Sequence, residues 1–175
     1  RSFSDDGIAA VAVEPVARAL GATKGSFYWH FADRRALVDA VLDRWRDLET
    51  EQLIAEVELL DTPQERLARL FEIIGHRSMQ RSGERTLYAD AAAAQVREPV
   101  TAVTERRVGY LAELLHSCGV TEAEARRRAI LLVSAIIGFQ QLLASGWVPD
   151  IHPRALVDTL YGVAMIPEGV TRPGR

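Results

Sequence analysis

Between residues 24 and 34 the chain gathers the side chains best suited to meet a polar, negatively charged surface. They are Lys24, Ser26, Tyr28, Trp29, His30 and Arg34, with Gly25 among them. Lys24 can donate to the acceptors of guanine, Ser26 can bond to either kind of base edge, and Trp29 offers an apolar plane for a thymine methyl. Tyr28, His30 and Arg34 suit phosphates, which fix register without reading sequence. Arg34 stands beside the start of the next helix, where unpaired amides add to the attraction for an anion. Gly25 lets the backbone approach closely. This is the chemistry of duplex DNA recognition. Another reading of the same residues also stands, in which Tyr28 and Trp29 are partly buried packing residues and His30 is a cap.

These side chains need an element that holds them outward. Val13, Val16, Ala17 and Leu20 fall at helical spacing and form an apolar stripe. Gly21 then ends that helix, where a left-handed residue is favoured. The hydroxyl of Thr23 can cap the helix that follows. Phe27 and Phe31, four apart, face inward and leave the polar-aromatic face free. Two short helices around a tight turn, one face anchoring and the other presented, are what a helix-turn-helix requires.

At these residues the chain resembles the tetracycline-repressor (TetR) family of transcriptional regulators. The signature runs from Gly7 through Val16-Ala17, Gly21 and Lys24-Gly-Ser-Phe-Tyr-Trp-His-Phe31 to Arg34-Arg-Ala-Leu37. By motif the resemblance stops there, and beyond it only the helical organisation agrees. It implies DNA-contacting roles for Thr23, Lys24, Gly25, Ser26, Tyr28, Trp29, His30 and Arg34. It also implies about nine helices, three of them in a DNA-binding head. One position departs from the family, since Ala12 stands where a threonine or serine is common. The missing hydroxyl removes about 1 kcal/mol of capping and one phosphate contact. Pro15, in the first turn of that helix, sacrifices no helical hydrogen bond.

The 175 residues, 48% hydrophobic and 26% charged, are enough for a folded core. A single cysteine, Cys118, excludes an internal disulfide framework and suits a reducing cytoplasm. The chain opens on Arg1 inside what should be its first helix, so further residues are expected before it. The net charge of −3 does not announce a nucleic-acid binder. Residues 1–35 hold five basic and four acidic side chains and the remainder sixteen and twenty, so the head is only slightly the more basic. Local charge is what DNA binding needs, and dimerisation would double it.

The rest reads as all-α, without strand-like alternation. Asp33 caps a long helix from about Arg34 to Leu59. Thr62-Pro-Gln-Glu65 is a capping box with proline at the first helical position, opening a helix to about Met79. An alanine-rich helix spans Arg85 to Val96, and another runs from Pro99 to near Gly119. Thr121-Glu-Ala-Glu124 is a second capping box. Its helix turns apolar on nearly every side from Ala129 to Ala144, and such a helix must be covered all round. The run is short and polar for a membrane span, so no membrane is expected. A connector, Gly146 to Pro153, leads to a last helix from Arg154 to about Met165, and Pro167 to Arg175 reads as a mobile tail. The domains expected are 1–32 for the DNA-binding head, 33–166 for effector binding and dimerisation, and 167–175 for the tail. The resemblance implies that the helices near 121–146 and 154–166 pair with their copies in a homodimer, which then meets double-stranded DNA at an inverted-repeat operator.

By the same analogy a small apolar or aromatic effector sits among the helices of roughly 45–140. Trp45, Phe71, His76, Met79, Tyr88, Tyr110 and Phe139 are candidate lining residues, each with an ordinary core position as the alternative. His30, His76, His116 and His152 are scattered, and no spacing suits a metal. No cofactor, phosphate loop or nucleophile motif is expected, so the chain does not read as an enzyme. His116, near a helix end, reads as a surface residue favoured by the helix dipole. Arg126-Arg-Arg128 reads as a solvated face or as a second nucleic-acid patch. Two rival functions remain at this point: an all-α small-molecule binding protein or enzyme with a vestigial helix-turn-helix, and a protein-docking module.

Overall fold

The computed structural model describes Arg18, Gly21 and residues 23–80, 87–88 and 96–167, with backbone alone at 24, 26, 27, 79 and 80. Gly21 takes the left-handed conformation its position predicts, with φ of 63°, and its N–H donates to the Arg18 carbonyl at 3.2 Å. Helix α1 (Lys24–His30) follows. Asp33 is extended and accepts from the Ala36 N–H at 2.8 Å, which opens α2 (Arg34–Arg46) as expected. Ala12 and the first two expected helices lie outside the described residues except for Arg18 and Gly21. So does the alanine-rich helix 85–96, except for Leu87, Tyr88 and Val96, and so does the tail from 168.

The expected long helix from 34 to 59 is not uniform. It passes through a π-turn (Asp47–Glu51) into α3 (Gln52–Val57). The reason lies in the sequence Asp47-Leu-Glu-Thr-Glu-Gln52, a nearly all-polar stretch between two buried apolar ones. Its buried residue is Thr50, whose hydroxyl accepts from Arg107 Nε at 2.9 Å. Helix α4 (Pro63–Gln80) begins at a fully formed capping box. The Thr62 hydroxyl accepts from the Glu65 N–H at 3.2 Å, and the Glu65 carboxylate accepts from the Thr62 N–H at 3.1 Å.

Helix α5 (Arg97–Ser117) starts two residues before Pro99, whose missing N–H costs nothing in a first turn. Helix α6 (Glu122–Ala144) and helix α7 (Pro153–Ala164) complete the described chain. Both α5 and α6 end the same way. Gly119 and Gly146 have φ of 99° and 90°, and the paired bonds Val120 to Leu115 and Trp147 to Leu142 close a glycine-capped end. Among the described residues there is no strand.

Two expectations fail. Thr121 stands at the N-cap of α6 but makes no side-chain capping bond. Glu124, its expected box partner, is drawn instead to Arg128 at 2.9 Å and Arg127 at 2.7 Å, which hold its carboxyl below the usual range. The arginine triplet is likewise not one solvated face. Arg126 and Arg127 are exposed, but Arg128 is buried and donates to the Ala164 carbonyl at 2.9 Å. It thereby ties the end of α7 to the start of α6.

Two apolar clusters hold the body. One joins α3, α4, α6 and α7 to the C-terminal half of α5, around Leu67, Phe71 and Leu115. The other joins Leu37, Val38, Leu42 and Trp45 of α2 to Val96, Val100 and Val103, with Phe31 packed against it. That second cluster fixes α1 to the body.

Gly75 of α4 is needed for the seat of α7. A Cβ there would lie 2.6 Å from Val157 Cγ2, on a β-branched side chain with little rotamer freedom in a helix. Gly75→Ala gains helix propensity but overpacks this contact. It is expected to destabilise the fold by about 1–2 kcal/mol net, read as a lower thermal midpoint. Adding Val157→Ala should restore most of the loss.

Candidate DNA interface and effector cavity

Helix α1 has seven residues and is about 10 Å long, which suits end-on or oblique entry into a groove about 12 Å wide. Its outward face is aromatic. Trp29 is 87% exposed and Tyr28 51% exposed, values that no core role explains. The His30 ring stands edge-on to the Trp29 indole, with centroids 5.6 Å apart. Thr23 and Gly25 are exposed, and among the described residues a Cβ built on Gly25 would meet Thr23 Oγ1 alone, at 3.8 Å. Arg34 is exposed at the first turn of α2, where the Asp33 carboxylate takes one of the free amides. Arg35, next to it, pairs with Asp39 at 2.9 Å. The side chains of Lys24, Ser26 and Phe27 lie outside the described residues. Phe31 is half-buried against the α2–α5 cluster, which anchors one end of the presented helix.

A cavity of about 90 Å³ lies between the π-turn, α3, α4, α5 and α6. Leu70, Ile74, Leu111 and Ile136 supply apolar walls. Its polar lining is Glu49, Thr50, Arg77, Ser78, Arg107 and Gln140. These are held in pairs. Arg77 meets Glu49 at 3.1 Å, Arg107 donates to Thr50, and Gln140 Nε2 donates to the Ser78 hydroxyl at 3.2 Å.

Of the expected lining residues whose side chains are described, Tyr110 alone is at this cavity. Its hydroxyl donates to Glu58 at 2.7 Å, and burial together with that carboxylate pushes its pKa well above the phenol range. Phe139 lines a different feature, an open groove of about 490 Å³ between α4, α6 and α7. Trp45 and Phe71 are core rather than cavity wall, because each fills a cluster between helices. Among the described residues the Trp45 indole N–H finds no hydrogen-bond acceptor, and the Arg107 guanidinium lies 5.1 Å over its ring. Tyr88 packs against the same cluster as Trp45, and its hydroxyl lies 3.4 Å from that of Thr104. His76 is exposed, and the Met79 side chain lies outside the described residues.

Sequence reasoning missed Glu49, Thr50, Arg77, Arg107, Ser78 and Gln140. A signal was present for two of them: Thr50 lies in the polar stretch that breaks the apolar pattern of the 34–59 segment, and Gln140 interrupts the mostly apolar run of α6. Among the described residues no group of three or more His, Cys, Asp or Glu is placed to hold a metal.

Among the described residues, a helical body carries a short exposed helix just after a tight glycine turn, the arrangement expected of the second helix of a helix-turn-helix. Comparison with known proteins points to one family. Residues 1–41 match the family described as bacterial regulatory proteins, tetR family. A TetR-like transcriptional regulator from Rhodococcus sp. RHA1 superposes with a TM-score of 0.70 at 25% identity, over 93% of this chain and 87% of the other. A TetR transcriptional regulator from Legionella pneumophila shares the fold, with a TM-score of 0.73 at 15% identity over 93% and 88% of the two chains. The chain matches no curated protein. The family match thus covers residues 1–41, and the solved TetR regulators extend the likeness in fold over most of the chain.

Proposed function

We propose that this chain is a TetR-family homodimeric, ligand-responsive repressor, released from an inverted-repeat operator when a small effector with a hydrocarbon body enters it. The observation that carries this reading is the exposure of Tyr28 and Trp29 on a helix fixed to the body by Phe31. Residues 1–32 form the head, 33–166 the effector-binding and dimerising body. Thr23, Gly25, Tyr28, Trp29, His30 and Arg34 face the duplex together with Lys24 and Ser26.

Helix α6 supports the dimer. At 23 residues it is longer than its apolar run suggests, and by length and mean hydropathy it is sufficient to cross a membrane. Yet one side packs on α5, Gln140 is buried and hydrogen-bonded, and Arg128 binds the end of α7. The uncovered side presents Leu131 and Leu142, and a second protomer covers it better than lipid would. The two heads then reach half-sites about one DNA turn or a little more apart. An effector weakens binding by its differential affinity for the two head spacings.

Selection of bound fragments from random DNA, using the full protein, tests the reading. An enriched inverted repeat with salt-sensitive affinity is expected. Recovery of no sequence, with no salt-sensitive binding to any duplex, would overturn it.

A further inference from the structure

The π-turn supplies two of the polar residues that line the cavity. Glu49 and Thr50 belong to that turn, and each is bound by an arginine from another helix: Arg77 of α4 and Arg107 of α5. The Glu49 side chain is only 9% exposed, and Arg77 also reaches the Leu48 carbonyl at 3.5 Å. Hydrocarbon side chains complete the lining, among them Leu70, Ile74 and Ile136.

Guanidinium forks match a carboxylate in geometry and charge, and a hydrocarbon wall matches a hydrocarbon body. A volume of about 90 Å³ is well below the roughly 150 Å³ of an apolar cavity that takes up benzene, so a body of a few aliphatic carbons fits and an aromatic ring does not. We propose that this cavity binds a short-chain aliphatic carboxylic acid whose carboxylate exchanges for Glu49 on Arg77, and that the π-turn passes this exchange to the recognition helix. The proposal rests on the reading of the chain as a ligand-responsive regulator.

The transmission has a physical basis. A π-turn holds one residue more than an α-turn, and turns of this kind recur at functional sites. Here the two arginines hold it through Glu49 and Thr50. Losing the Glu49 contact loosens one of these ties, and each residue of register regained as α-helix turns the following segment by about 100° and shifts it by about 1.5 Å. The segment on the head side is α2, which carries Asp33 and the packing site of Phe31. Even a small part of that rotation re-aims α1.

The test uses the full chain, with butyrate and isovalerate as probes against the corresponding alcohols and amines. Binding is followed by calorimetry, and operator affinity by fluorescence anisotropy on a selected duplex. The acids are expected to bind at least about tenfold tighter than alcohols or amines of equal length and to lower operator affinity. Arg77→Gln removes that preference. Glu49→Gln has the opposite effect: it raises acid affinity several-fold, leaves alcohol affinity unchanged, and weakens operator binding without any ligand. Equal binding of acid and alcohol overturns the proposal, as does weaker acid binding by Glu49→Gln or acid binding that leaves operator affinity untouched. If Arg77→Gln melts at room temperature, Glu49→Gln decides alone. A protein that binds operator but no acid refutes the cavity assignment and spares the regulator. A protein that binds no duplex refutes the regulator.

Discussion

Tyr28→Ala and Arg34→Ala will each weaken operator binding about tenfold, roughly 1.4 kcal/mol, without changing the oligomeric state. Both side chains are exposed in the subunit, so truncation removes little packing. Each acts twice in a dimer. Phosphate contacts carry no base information, so the loss should be nearly the same across operator variants. Arg34→Ala should also flatten the dependence of log affinity on log salt by about one charge per head, because one fewer counterion is released. Tyr28→Ala, which removes no charge, should leave that slope alone. Trp29→Ala behaves differently if its indole meets a thymine methyl, with the loss concentrated at one base pair. Gel shifts at two salt concentrations separate these cases. Unchanged affinity in both Tyr28→Ala and Arg34→Ala would remove α1 from the interface.

The parts of this structure that were legible in the sequence are those set by neighbours along the chain. Gly21, Gly119 and Gly146 mark helix ends because a left-handed backbone is cheap only for glycine. Asp33 and the Thr62–Glu65 pair mark helix starts because each satisfies amides within three residues. The outward face of α1 followed from Phe31 and its neighbours by the same short-range logic.

The cavity obeys different rules. Its polar wall draws Glu49 and Thr50 from a turn, Arg77 from α4, Arg107 from α5 and Gln140 from α6. No local spacing announces such a meeting. Aromatic size was the wrong guide, since a ring as large as Phe71 is more useful filling a core between helices than lining an open space. Charge density misled as well. Arg128 looks like its two exposed neighbours, yet a helical rotation of about 100° per residue turns it inward, to Glu124 and the end of α7. Glu124 serves that pair and so abandons the capping role its spacing suggested.

The second large effect concerns the uncovered side of α6. Leu131, Ala135, Gly138 and Leu142 recur at intervals of four, three and four, and all are exposed in the subunit, Leu131 at 69%. Val163 of α7 lines the same groove as Leu131 and Ala135. The leucines supply apolar area at both ends of the stripe, and Ala135 and Gly138 allow two helices to approach closely between them. Leu131→Glu places a carboxylate on each protomer where the two stripes would meet. Burying an unpaired charge costs several kcal/mol, and here two like charges are buried together. The expected product is a folded monomer, because Leu131 contributes little to the subunit's own core. A monomer presents one head and loses the effective concentration that links two half-sites. Operator affinity should therefore fall by about 10²–10⁴-fold, while thermal unfolding remains cooperative. Leu131→Ala, which removes area but adds no charge, should lie between the two. Sedimentation at micromolar concentration measures the first effect and anisotropy the second. A Leu131→Glu protein that stays dimeric and binds its operator normally would show that this stripe faces something other than a second copy of the chain.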